Sequence, residues 1–339
     1  MRETLTYDDV LLVPQYSDIK SRKEVDIGNG LDDNIHLELP VISSPMDTVT
    51  GDEMAVYMSH AGGMGVVHRY NTPNEQIEIV KQVRAATSSR TVAAAVGVTC
   101  DYLKRAVNLF DVGANVICID VAHGHHVLVE NAIKSIRKEL GNSVHIMAGN
   151  VATQEGYEAL ADWGADSVRC NVGGGSICST RIQTGHGMPG LQTIFDCAKS
   201  DRMTRIIADG GIRTSGDIVK ALAAGADFVM LGSMLAGTEQ SPGFVIEDTN
   251  GLQYKIYRGM ASKEAQVHWR GKYSSNEGIS TRIPFKGSVE DVLIDIKNGI
   301  TSGFSYSGAR TIEQLWGKAE FVRQTNAGLG ESKTHILSR

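Results

Sequence analysis

The sequence predicts a single-domain α/β protein built as a closed barrel of eight strand and helix units, a (β/α)8 barrel. Three observations predict it. Short apolar runs recur eight times along the 339 residues with amphipathic segments between them. The composition is 42% hydrophobic but only 6% aromatic, with 7 prolines, so the core must be mostly Val, Ile, Leu and Ala, which suits parallel strands buried under helices. Nearly every run also ends in a residue of chemical use, as happens where barrel strands converge on one face. A doubly wound open sheet shares the strand arithmetic and is the competing architecture; the repeated polar strand ends favour the barrel.

In chain order the strand-like runs are Leu39–Ser43, Met64–Val67, Val92–Val98, Val116–Ile119, Val144–Ala148, Ser167–Cys170, Arg205–Ala208 and Phe228–Leu231. Their ends carry Ser43-Ser44, His68-Arg69, Asp120, Asn150, Arg169 with a glycine stretch, Asp209-Gly210-Gly211 and Gly232-Ser233. Between them, Asn74–Arg84 and Gly216–Ala224 return an apolar residue every three or four positions, the helical period. The ADGG at 208–211 and LGS at 231–233 fit the phosphate site often built after the seventh and eighth strands. Past the eighth run, Tyr254–Met260 reads as a strand and Ala261–Ile279 as a polar surface loop, giving an active-site flap over 260–287. The Gly-rich, polar segment 326–339 reads as a frayed tail.

Net charge is −6 without a basic run, which argues against nucleic acid or an anionic membrane as partner. No apolar run approaches the roughly 20 residues that span a bilayer. MRETLTYDDVLLVP has charges where a signal peptide needs an apolar core, so a cytoplasmic location is expected. The 5 cysteines lack paired Cys-x-x-Cys spacing, and neither disulfides nor zinc are expected.

The chain is organised around residues 171–185, NVGGGSICSTRIQTG. Three consecutive glycines clear side chains from where backbone groups must face a small partner, and a thiol flanked by hydroxyls follows at once. A flexible linker has no use for that thiol, so the stretch reads as a site. Cys118 and Cys197, in apolar segments, read as buried core thiols. The His123, His125, His126 cluster has no recognised zinc spacing to complete it.

With these residues in hand, the chain resembles the inosine-monophosphate dehydrogenase and GMP reductase family almost end to end. The matching pieces are LTYDDVLLVP at 5–14, SSPMDTVT at 43–50, GGMGVVHR at 62–69, AAAVGV at 93–98, IDVAHGH at 119–125, AGNVAT at 148–153 and GGGSICSTRIQTG at 173–185. To these add 206–243 from IIADGG to SPG, YRGMAS at 257–262 and EGISTRIPFKG at 277–287. The resemblance implies a TIM barrel and a homotetramer. The paired regulatory (CBS) domains that many family dehydrogenases insert after the second strand are absent, the junction near Ala85–Thr91 being closed up.

Carried over by motif, Cys178 looks like the nucleophile that attacks C2 of the purine, with Thr180 as proton relay. Ser44, Ser176, Asp209, Gly210, Gly211, Gly232, Ser233 and Tyr257 stand where the family holds the ribose and phosphate. Gly259, Met260, Ala261, Glu277 and Gly278 stand where it meets the purine, and Asp120, Val121, Ala122 and Asn150 where it places the nicotinamide cofactor. Carbonyls of Gly173, Gly175 and Cys178 correspond to a potassium site, with Glu331, Ser332 and Lys333 of a neighbouring subunit adding ligands. Asn171 and Gly174 depart from the pattern, standing where a Gly and usually a Pro or Ser occur.

The resemblance leaves three functions open: NADPH-dependent reduction of GMP to inosine monophosphate (IMP), oxidation of IMP with NAD, and a non-catalytic purine nucleotide sensor. The intact Cys178 and Thr180 argue against the sensor. In the dehydrogenase branch a long mobile flap carries an Arg-Tyr pair whose Arg activates water. Here the segment from Met260 to Glu277 is short, has no such pair and holds one arginine, Arg270. SSPMDTVT looks more dehydrogenase-like, but the missing pair decides for GMP reductase, with Glu277 joining Cys178 and Thr180 as the group that protonates the departing amine.

Overall fold

The computed structural model describes residues 1–87, 91–274 and 276–334. Its centre is a closed, all-parallel barrel whose strands follow one another around the ring in sequence order. They are β1 (Val41–Ser43), β2 (Met64–Val67), β3 (Ala93–Val96), β4 (Val116–Asp120), β5 (His145–Val151), β6 (Ser167–Cys170), β7 (Arg205–Asp209) and β8 (Phe228–Leu231). The barrel and not the open sheet is therefore the architecture. All eight fall on the expected runs, with the largest shift in β5, which continues through Val151 past a bulge against β6.

Two periodicities explain the packing. Alternate strand residues face the lumen, where Ile42, Met64, Val66, Ala93, Ala95, Val116, Cys118, Met147, Ile207, Phe228 and Met230 form one apolar cluster. Leu31, Ile35 and Leu37, from a hairpin before β1, plug the lumen from below. The intervening residues, such as Val41, Val67, Ile117, Ile146 and Val229, pack outward against the helices. Polar side chains interrupt this lining at Ser167 and Arg169 of β6 and at His145 of β5. Ser167 Oγ lies 2.8 Å from His145 Nε2, whose Nδ1 lies 2.7 Å from Asp32, so the bottom layer is a satisfied polar chain.

The outer helices are α1 (Asp52–His60), α2 (Pro73–Ala86), α3 (Tyr102–Asp111), α4 (Val127–Leu140), α5 (Gln154–Asp162), α6 (Thr180–Thr184), α7 (Gly190–Cys197) and α8 (Ser215–Ala223). Local chemistry sets where several begin: Thr72 and Glu75 form a capping box with Pro73 in the first turn of α2, and Thr214 and Asp217 form another on α8. Residues 88–90, within the closed-up junction, lie outside the described residues, as do 335–339 of the tail.

The extension departs from its sequence reading in two places. The segment expected as a surface loop contains α9 (Lys263–Arg270), capped by Ser262 and ended by Gly271 at φ 70°. The segment expected to fray contains α12 (Asn326–Glu331), capped by Thr325 and preceded by a strand over Phe321–Arg323 that pairs with Val10–Leu12. Capping hydroxyls and strand pairing supply the order that composition alone did not show. A three-stranded antiparallel sheet, β9 (Ile246–Glu247), β10 (Gln253–Arg258) and β11 (Ser280–Pro284), carries the flap, and α10 (Val289–Tyr306) and α11 (Ile312–Lys318) return along the barrel wall. Among the described residues no helix is long and apolar enough to cross a membrane.

Candidate active site

The C-terminal strand ends open onto a cavity of about 310 Å³. After β6 the chain runs through the glycine stretch to Cys178, whose N–H donates to the Gly175 carbonyl at 3.1 Å and closes a tight turn. The Ser179 N–H donates to the Glu277 carbonyl at 2.9 Å and the Ile279 N–H to the Ile177 carbonyl at 3.0 Å, so the nucleophile loop and the end of the flap form a short antiparallel bridge. That bridge brings together three side chains far apart in sequence. The Cys178 thiol donates to Thr180 Oγ1 at 3.2 Å, and the Thr180 hydroxyl donates to Glu277 Oε2 at 3.0 Å. Sulfur, hydroxyl and carboxylate thus form a continuous path for a proton.

Across the cavity, Asp209 at the end of β7 accepts from Asn150 Nδ2 at 2.7 Å and from both Nε and Nη2 of Arg169. Gly210 follows at φ 84°, and a Cβ there would lie 3.2 Å from the Gly175 nitrogen, so the two loops can touch only through glycine. Gly211, Gly232, Ser233, Ser44 and Ser176 complete this wall. Tyr257 closes it from β10: burial pushes its phenol up to about 12 while a hydrogen bond with Ser176 pulls the other way, so it acts as a neutral donor. Lys286 Nζ donates to the Ser233 carbonyl at 2.5 Å, placing a cation beside the loop.

The opposite wall holds Asp120, Val121 and Ala122. Asp120 accepts from Arg169 Nη1 at 2.7 Å and Arg69 Nε at 3.3 Å. Burial raises its carboxyl, but the two guanidiniums outweigh burial and hold it below the usual carboxylate range. Arg169 therefore bridges Asp120 and Asp209, one cation serving both walls. Next to it, burial pushes the Cys118 thiol up to about 12, an inert core thiol as expected.

The flap is tied down over this cavity. The Tyr70 hydroxyl donates to the Met260 carbonyl at 2.7 Å, and its ring stacks on Trp269 with centroids 5.8 Å apart. Arg258 Nε donates to Asp47 Oδ2 at 3.1 Å and lies against His268. Gly259, Met260 and Ala261 line the cavity, whereas Gly278 packs behind them against Gly259 and Ser262. Glu331 and Ser332, at the end of α12, are not in the lining; the Ser332 hydroxyl donates to the Gly328 carbonyl. The histidine cluster has other work: His126 Nδ1 accepts from the Leu128 N–H and caps α4, and His125 packs on Trp163.

Reading strand ends found Arg69 and Arg169 without giving either a role, and gave none to Tyr70, Asp47 or Arg258. A signal for Arg169 was present: a charged residue inside an apolar strand run must be paired when buried, and Asp120 and Asp209 end the strands within its reach.

The chain matches the family model described as IMP dehydrogenase / GMP reductase domain over residues 4–335. It is 35% identical to the inosine-5'-monophosphate dehydrogenase of Nitrosopumilus maritimus, covering 98% of each chain, and 32% identical to the GMP reductase of Leishmania donovani, covering 99% and 98%. These alignments run over 472 and 481 positions, against 386 for the Cryptosporidium parvum dehydrogenase, which is 38% identical over 98% of this chain and 94% of that one. Both activities thus occur among the longer relatives, and length does not separate them. A cysteine-to-alanine variant of GMP reductase from Trypanosoma brucei, solved with guanosine 5'-monophosphate, superposes with TM-score 0.93 at 32% identity, covering 99% of this chain and 98% of that one.

Proposed function

This chain belongs to the IMP dehydrogenase / GMP reductase family of oxidoreductases that act on purine nucleotides with a nicotinamide cofactor, and from its site we propose that it is a GMP reductase, converting GMP to IMP and ammonia with NADPH. The observation that carries this reading is the path from Cys178 through Thr180 to Glu277. As the thiolate attacks C2, the thiol proton passes to Thr180 and its hydroxyl proton to Glu277, which returns a proton to the departing amine. Ammonia leaves and a C2–S thioimidate remains. A reduced nicotinamide held beside Asp120, Val121 and Ala122 would supply the hydride that C2 needs. The C2–S bond then breaks and Cys178 is regenerated, so GMP, NADPH and one proton give IMP, ammonia and NADP+.

Hydrolysis of the same adduct needs a base for water. Arg270, at the C-terminal end of α9, is exposed and does not line the cavity. The arginines that do, Arg69 and Arg169, are committed to Asp120 and Asp209. With no free guanidinium in the described lining, the adduct waits for hydride. The residues suit the groups they would hold. Asp209 can accept from a ribose diol, the glycine loops offer amides to phosphate, and Val121 and Ala122 give a small apolar wall beside the ionised Asp120 for the nicotinamide. The T. brucei enzyme, solved with GMP, supports the same substrate here. Purified protein given GMP with NADPH should oxidise the cofactor faster than IMP with NAD reduces it; faster formation of xanthosine monophosphate from IMP and NAD assigns the dehydrogenase instead. Replacing NADPH by NADH in the same assay tests the cofactor preference.

We also propose that the carbonyls of Gly173, Gly175 and Cys178 hold a potassium ion, completed by Glu331, Ser332 and Lys333 of a neighbouring subunit in a homotetramer. Gly175 and Cys178 close one tight turn and Gly173 lies two residues before it, and an all-oxygen set of backbone carbonyls suits a hard monovalent cation. Turnover is expected to be several-fold faster in potassium than in lithium buffer, because the ion steadies the loop that carries the thiol. Equal rates in potassium, sodium and lithium count against the site.

A further inference from the structure

Asn171 is the first residue after β6, at φ 153° and 3% exposed. Its backbone is held on both sides: the N–H donates to the Val151 carbonyl at 2.7 Å and the carbonyl accepts from Asn150 Nδ2 at 3.1 Å. Its side chain turns beneath the glycine stretch, where Nδ2 donates to the Gly210 carbonyl at 3.2 Å. A Cβ built on Gly174 would lie 2.0 Å from that Nδ2 and 2.7 Å from both Cγ and Oδ1. A side chain fits at 174 only if the Asn171 amide leaves this position. The amide of Asn171 thus fills the space a side chain at 174 would occupy.

The amide also does something a filler at 174 would not do by volume alone. Gly210 adjoins Asp209, whose carboxylate faces the cavity with Asn150, and Cys178 lies at the other end of the loop that Asn171 begins. We propose that Asn171 is a positioning residue, clamping the Cys178 loop onto the Asp209-Gly210-Gly211 loop so that a nucleotide held by the second meets the thiol of the first at a fixed distance, and that its amide is what requires glycine at 174. The choice of GMP as ligand rests on the reductase reading; the clamp does not.

The test is a double-mutant cycle of Asn171→Gly and Gly174→Ala, with Asn171→Asp as an isosteric control that has no amide donor for the Gly210 carbonyl. Gly174→Ala alone and Asn171→Gly alone are each expected to lower kcat about tenfold to a hundredfold, with KM for the nucleotide changed less than about threefold, because misplacement costs rate more than binding. The double variant is expected to keep the kcat of Asn171→Gly, because alanine at 174 meets no amide once Asn171 is gone and so costs nothing further. Asn171→Asp should lose kcat like Asn171→Gly. A second readout does not depend on which reaction is catalysed: GMP or IMP should slow iodoacetamide alkylation of Cys178 strongly in the parent, and weakly in Asn171→Gly and in the double variant. Additive losses, a Gly174→Ala variant that behaves like the parent, or Asn171→Asp with parental kcat overturn the proposal. If the alkylation pattern appears while GMP is not reduced, the clamp stands and the reductase reading fails.

Discussion

Replacing Cys178 with alanine is expected to lower turnover by at least about 10⁴-fold while leaving nucleotide affinity within a few-fold of the parent, because removing the nucleophile of a concerted site forfeits the covalent route entirely. The two effects separate because the groups placed to hold ribose and phosphate sit elsewhere. Asp209 is fixed by Asn150 and Arg169, and Gly232 and Ser233 follow β8, two strands around the barrel from the β6 loop. The Cys178 backbone is anchored to Gly175, and its neighbours Ser179 and Ile177 to Glu277 and Ile279, through main-chain atoms that alanine retains, so the loop should keep its path. Calorimetric titration with GMP measures the retained binding, and intact-mass analysis of parent and variant under turnover measures the adduct. Measurable turnover in the variant at a tenth of the parental rate would end the covalent reading.

The barrel was legible because its two signals are repetitive: an apolar strand run of fixed length, and a polar residue at its end. Repetition averages out errors at single boundaries, so misjudging β5 by three residues changed nothing in the topology. The short path from Cys178 to Thr180 was legible as well, since two residues across a helix start stay neighbours in any fold. What the residues alone hid is what depends on long-range closure. The family resemblance put Glu277 with Thr180, but the two meet because residues 277–279 pair with 177–179, and nothing local announces that pairing. Arg169 looked like one more strand end until β4, β6 and β7 placed Asp120 and Asp209 on either side of it. The flap was misread as loop because its composition is polar; α9 is fixed by Ser262 at one end and by Tyr70 stacking on Trp269 near the other, the second contact coming from nearly two hundred residues upstream. Asn171 and Gly174 each looked like a blemish, and only the fold shows that the amide of the first occupies the space of a side chain at the second.

The second large effect is expected at Glu277. Glu277→Gln should lower kcat for GMP deamination by about 10²- to 10³-fold, the usual range for loss of a positioned acid or base, and leave KM for GMP within about threefold. The amide keeps the size of the carboxyl and can still accept from Thr180, but it can neither take the proton leaving the thiol nor deliver one to the amine. The backbone at 277 does not depend on the side chain: its N–H donates to the Ala261 carbonyl at 3.1 Å and its carbonyl accepts from the Ser179 N–H at 2.9 Å. A change in rate therefore reports on the proton and not on a displaced loop. Thr180→Val, which cuts the path one step earlier while keeping the shape, should cost a similar factor, and the two losses should fall well short of multiplying in the double variant because both break one relay. The alternative role for Glu277 is acceptance of hydrogen bonds from the purine ring. That role makes the opposite prediction: KM for GMP would rise with kcat little changed, and Thr180→Val would add its effect independently. Steady-state assays of the two single variants and the double, each over a range of GMP at saturating NADPH, distinguish the outcomes, and a rise confined to KM would remove Glu277 from the proton path.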